Sequence, residues 1–85
     1  MSILFKQTTQ HEVEQAVTEL NRLFYKLRVN VRYSCGWVDD TYTVFYQRGG
    51  SNIQHRSYFP IPATALNFVS GLINATIADN YEALA

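Results

Sequence analysis

Val29-Asn30-Val31-Arg32-Tyr33-Ser34-Cys35-Gly36-Trp37-Val38-Asp39-Asp40-Thr41-Tyr42-Thr43-Val44-Phe45-Tyr46-Gln47-Arg48-Gly49-Gly50 is the stretch that decides the fold. Val29, Val31, Tyr33, Cys35 and Trp37 alternate with Arg28, Asn30, Arg32, Ser34 and Gly36. A period of two puts successive side chains on opposite faces of a half-buried strand. Asp39-Asp40 marks a turn, and Thr41 to Arg48, rich in Thr, Tyr, Val and Phe, reads as a second strand. Gly49-Gly50 reads as a two-residue hairpin turn, because both glycines accept positive φ, and Ser51 to Phe59 reads as a third strand.

These two turns predict a register. The first sets Trp37 opposite Tyr42, Cys35 opposite Val44 and Tyr33 opposite Tyr46. The second sets Tyr46 opposite Ile53, Val44 opposite His55 and Tyr42 opposite Ser57. Both hairpins place the more apolar residues on one face, whereas a one-residue slip would mix the faces.

Upstream the period is helical. Val13, Ala16, Val17, Leu20, Leu23, Phe24 and Leu27 form a continuous stripe. Thr9-Gln10-His11-Glu12 has the pattern of a capping box, which predicts a helix over about residues 10–27. Downstream, Pro60-Ile61-Pro62 ends the third strand, since proline cannot donate to a ladder, and Pro62 suits the first turn of a helix. Leu66, Val69, Leu72, Ile73 and Ile77 form its stripe, Gly71 suggests close helix–helix approach, and Asp79-Asn80 is expected to break it. Ile3-Leu4-Phe5 reads either as a short N-terminal strand or as an apolar arm.

The expected fold is therefore α+β: a three-stranded antiparallel meander with two helices on one face, in the order α-β-β-β-α. The 85 residues suit one domain, residues 1–85. Seven Lys and Arg balance seven Asp and Glu, so no global field draws the chain to nucleic acid or membrane. The apolar runs fall short of the roughly 20 residues of a membrane span, and the N-terminus lacks the pattern of a signal peptide. One cysteine allows no internal disulfide, and the expected location is the cytoplasm.

Two helices cover one face of a three-stranded sheet and leave the other open. By the alternation above, the open face carries Arg28, Arg32, Phe45, Gln54, Arg56 and Tyr58 among smaller polar residues. It has three arginines and no acid. The acids fall on the first helix, at Asp39-Asp40 and near the C-terminus. Arginine and aromatic residues are enriched in recognition hot spots, so these six residues are the expected partner-binding surface.

Catalytic constellations are few. Cys35 and His55 share a row in the expected register, but Val44 stands between them. Two strand spacings are roughly 9.6 Å, beyond hydrogen-bond reach. One cysteine and two separated histidines do not form a zinc site, and Gly49-Gly50 lacks the helix that a phosphate loop needs. No enzyme activity, metal or cofactor is expected. The α-β-β-β-α order is similar to that of the double-stranded-RNA-binding domain. That family has a lysine-rich start to its second helix and a Gly-Pro-containing loop between its first strands. Here those places hold Pro62-Ala63-Thr64-Ala65-Leu66 and Val38-Asp39-Asp40-Thr41, so its function is not carried over.

The expected function is a small non-enzymatic protein-binding module of the adaptor or inhibitor type. By analogy of size alone, such modules include those encoded by phages or mobile elements. The expected partner is a protein, with no membrane. The alternatives are single-stranded RNA or DNA on the basic aromatic face, and a structural subunit that forms a homodimer through that face or through Ile3-Leu4-Phe5.

Overall fold

The computed structural model describes residues 2–84, with side chains from Thr9 onward. A long helix α1 (Ser2–Lys26) leads into strands β1 (Val31–Val38), β2 (Thr41–Arg48) and β3 (Gln54–Phe59). Helix α2 (Pro62–Asp79) follows, and a single turn α3 (Tyr81–Leu84) ends the chain. The strands form one antiparallel sheet in the order β1-β2-β3. This is the expected α+β meander, with the helix break at Asn80.

The start of α1 differs from expectation. Ile3-Leu4-Phe5 is part of this helix, neither a strand nor an arm. Thr9 is therefore no N-cap but a buried position inside the helix. Phe5 stands four residues before Thr9 and eight before Val13, so helical spacing continues through the apparent capping box. The helix ends in a Schellman motif. Val29 N donates to Phe24 O at 2.9 Å, and Arg28 N donates to Tyr25 O at 3.1 Å. Arg28 takes the left-handed position that such an ending requires, with φ 60°.

The β1–β2 register matches expectation from Val31–Arg48 to Val38–Thr41. Asp39 and Asp40 form its two-residue turn with φ of 50° and 63°, the type I′ geometry that matches strand twist. Asp40→Gly removes a side chain from a left-handed site while keeping the preferred Asp-Gly pair. It should raise the unfolding free energy by about 0.5–1 kcal/mol, read as a higher urea midpoint at unchanged slope.

The β2–β3 register is displaced by two residues from expectation. Tyr42 pairs with Phe59, Val44 with Ser57 and Tyr46 with His55. The cause is the turn. Ser51 N donates to Arg48 O at 3.1 Å, and of the two central glycines only Gly50 has positive φ, at 84°. That is type II geometry, whose twist splays the flanking strands. The chain needs Ser51 to Ile53 to return. Gln47 Nε2 donates to Ser51 O at 2.6 Å, and Ile53 N donates to Ser51 Oγ at 3.1 Å, which fixes the longer loop. An even slip keeps every side chain on its face.

The core lies between the helix pair and one sheet face. Val13, Val17 and Leu20 of α1 meet Tyr42 and Val44 of β2 and Ala65 and Val69 of α2. Tyr33, Cys35, Trp37 and Phe59 pack around them from the same sheet face. Asn21 and Gln10 tie α1 to β1, the latter by accepting from Trp37 Nε1 at 3.0 Å. Gly71 is exposed with open space around it, so it serves no helix–helix approach within the chain. Among the described residues no helix is long and apolar enough to cross a membrane.

Candidate functional site: the open sheet face

β2 runs along the centre of the face that the helices leave uncovered, with β1 and β3 at its edges. Phe45 lies between Ser34 and Arg56, and Tyr58 lies opposite Thr43. The displaced register thus sets Arg56 beside Phe45 rather than beside Thr43, as expected. Arg56 Nε donates to Gln54 Oε1 at 3.0 Å along the same strand. That bond uses one of the five guanidinium donors and leaves the others available. Arg32, on the opposite edge strand β1, faces Gln47 of β2.

A shallow depression of ≈ 340 Å³ runs over the hairpin end of this face, lined by Arg32, Ser34, Phe45, Gln47 and Gln54 with the Gly49-Gly50 turn at its rim. Arg32, Gln54, Arg56 and Tyr58 are exposed and Phe45 is half-buried. Thr43, at the centre of the face, is fully buried. Its side chain points away from the helix-covered face, and its hydroxyl donates to Thr41 O at 3.4 Å. The result is a patch with a packed middle and a polar, positively charged rim.

Five of the six expected residues therefore share one face: Arg32, Phe45, Gln54, Arg56 and Tyr58. Arg28 does not. Strand β1 starts at Val31, so the alternation does not reach back to Arg28. It sits instead in the helix-ending turn, beside a separate depression lined by Tyr25, Lys26, Val29 and Asn30.

An aromatic row under the sheet supports this end of the face. Phe24 and Tyr33 have ring centroids 5.7 Å apart, Tyr33 and Tyr46 stack at 5.0 Å, and Tyr46 and His55 stack at 4.6 Å with planes 14° apart. Such ring pairs each contribute about 0.5–1.5 kcal/mol beyond their buried area. The row crosses all three strands and anchors them to α1, which stiffens the hairpin end. The register expected from sequence put His55 against Val44 and so concealed it.

The structure does not bring Cys35 and His55 together. Ser57, not His55, shares its row through Val44, so Cys35 and His55 lie in different rows. Burial pushes the Cys35 thiol up, with the Tyr42 hydroxyl acting against that shift and Glu14 adding to it. The Tyr42 hydroxyl is buried without a well-formed hydrogen bond and interacts with that thiol, a weak partner. Burial drives its phenol strongly upward. Burial also raises Tyr33, with Tyr46 as the second cause.

These shifts have a pH consequence. The unfolded chain releases its thiol and phenol protons first, at about pH 8.5–10. Above that range it binds fewer protons than the native state, so stability falls as pH rises. Tyr42→Phe removes an unsatisfied buried hydroxyl. It should gain about 1 kcal/mol near neutral pH and lose less stability than the parent by pH 10.5, measured by urea unfolding across pH. A destabilised Tyr42→Phe would show that the hydroxyl is satisfied.

Among the described residues no group of three or more His, Cys, Asp or Glu is placed to hold a metal ion. No protein-family model, curated protein or solved structure matches this chain.

Proposed function

We propose that this chain is a non-enzymatic binding module whose open sheet face docks a protein partner, in the manner of a small adaptor or inhibitor acting in the cytoplasm. The observation that carries this reading is the gathering of Arg32, Phe45, Gln54, Arg56 and Tyr58 on one uncovered face without an acid among them. An exposed Tyr58 and a half-buried Phe45 beside arginines suit a recognition surface. A balanced total charge and a patch with only two arginines suit a protein better than a nucleic-acid backbone, whose binding draws on many cationic contacts.

The test is affinity capture from the native host, with nuclease treatment, using the parent and a Phe45→Ser, Tyr58→Ser variant as paired baits. A defined protein retained by the parent after nuclease treatment and lost by the variant is the expected result. Nucleic acid alone on the parent would assign the face to single-stranded RNA or DNA. Equal capture by both baits would remove the face from the function.

A further inference from the structure

The two edges of the sheet are not equivalent. Asn21 of α1 closes part of the β1 edge: its Nδ2 donates to Tyr33 O at 2.9 Å, and its Oδ1 accepts from Tyr33 N at 2.8 Å. The main chain of Tyr33 thus faces away from β2. Main-chain direction alternates along an antiparallel strand. Tyr46, opposite Tyr33, therefore turns its N–H and C=O toward β3, where His55, Ser57 and Phe59 meet β2. The bond from Gly49 N to Asn30 O, 2.9 Å, obeys the same alternation.

Gln54, Arg56 and Tyr58 consequently point their N–H and C=O groups outward from the sheet. Among the described residues no helix side chain occupies them as Asn21 occupies Tyr33. The same three residues present their side chains on the open face, and all three are exposed. An uncovered edge strand is a template for a further strand, with main-chain bonds giving affinity and alternate side chains giving specificity.

Charge selects the occupant. Arg32 and Arg56 are the ionised groups of the open face. The acids lie elsewhere: Glu12, Glu14 and Glu19 in α1, Asp39 and Asp40 in the turn, Asp79 at the end of α2, and Glu82 in α3. A second copy pairing all three outward residues would set Gln54 against Tyr58 and Arg56 against its own counterpart, a like-charge contact directly across strands. An acidic side chain at that position would instead meet guanidinium donors.

We infer that the β3 edge takes an extended acidic segment of the partner protein as a fourth strand, with a carboxylate beside Arg56. This deepens the proposed role of the open face and rests on it.

Amide exchange followed by NMR tests it, with a capped octapeptide of alternating Glu and Val as probe and its Lys-Val counterpart as control. In the free protein, Gln54, Arg56 and Tyr58 should exchange fast while His55, Ser57 and Phe59 are protected. At ten times its Kd the acidic probe should slow the three outward amides about tenfold. The basic peptide should leave them unchanged, and Arg56→Gln should weaken the acidic probe. Equal binding of both peptides would overturn the acidic assignment. Concentration-dependent protection in the free protein would give the edge to a second copy and overturn it too. Acidic-probe binding that shifts Arg32 and Phe45 without protecting the outward amides would overturn the edge while leaving the open face in place. Binding of neither peptide would also overturn the inference, and the open face would then be judged by the Phe45 and Tyr58 variants alone.

Discussion

Leu20→Ala should lower the unfolding free energy by about 3 kcal/mol, within the range typical of a buried leucine truncated in a closed core. Leu20 is fully buried, and its cluster joins α1 to Tyr42 and Val44 of the central strand and to Ala65 and Val69 of α2. The truncation therefore opens a void where α1, α2 and the central strand meet. A domain of this size has a total stability of roughly 4–13 kcal/mol, so the variant loses a large share. The thermal midpoint should fall by roughly 12–24 °C. Ile53→Ala supplies the contrast. Ile53 is 65 % exposed in the loop before β3, and its truncation should stay within about 0.5 kcal/mol. A loss under about 1 kcal/mol for Leu20→Ala would mean that α1 does not seat on this sheet face.

The same cluster explains what was legible in the sequence. Helical spacing from Val13 to Leu23 and strand alternation from Tyr33 to Trp37 are both dictated by one buried layer, so periodicity reports them directly. Asp39-Asp40 fixed the first register because its type I′ geometry admits one pairing of the flanking residues. Gly49-Gly50 was ambiguous for a physical reason. Glycine tolerates type I′ and type II turns alike, and the choice depends on Gln47 and Ser51 bonding the loop, which no local pattern encodes. The two-residue slip that follows preserves the faces but changes the neighbours. Phe45 gains Arg56, and Tyr46 gains His55.

The other differences between sequence pattern and structure sit at element ends. Thr9 to Glu12 mimics a helix start because the capping-box pattern is short, while the decision to begin at Ser2 lies with the longer helical run. Strand alternation carried past Val31 puts Arg28 on the open face, although the strand does not reach it. Its left-handed backbone belongs to the end of α1. The asymmetry of the sheet edges was invisible in sequence, because it arises from Asn21 reaching Tyr33 across twelve residues of chain.

Replacing Phe45 and Tyr58 by Ser should weaken partner binding by about two orders of magnitude or more. Phe45 lies on the central strand and Tyr58 on the neighbouring edge strand, and truncating a hot-spot aromatic typically costs about 2 kcal/mol or more. The two are diagonal neighbours on adjacent strands, since Phe45 pairs with Arg56 and Thr43 with Tyr58, so their effects should couple rather than simply add. Folding should respond unequally. Tyr58 is 60 % exposed, and its replacement should change stability by at most about 0.5 kcal/mol. Half-buried Phe45 should cost more, so circular dichroism and a urea midpoint must accompany each affinity. Arg32→Gln and Arg56→Gln then separate the partner classes. Against a single-stranded nucleic acid, losing both phosphate contacts should make the slope of log affinity on log salt shallower by about 1.4. Against a protein, a rim charge chiefly changes the association rate, and the loss should follow the position replaced, larger for Arg56 at the unpaired edge than for Arg32. If the variant carrying all four replacements folds and binds as the parent does, the open face is a solvated surface, and the helices must carry the function.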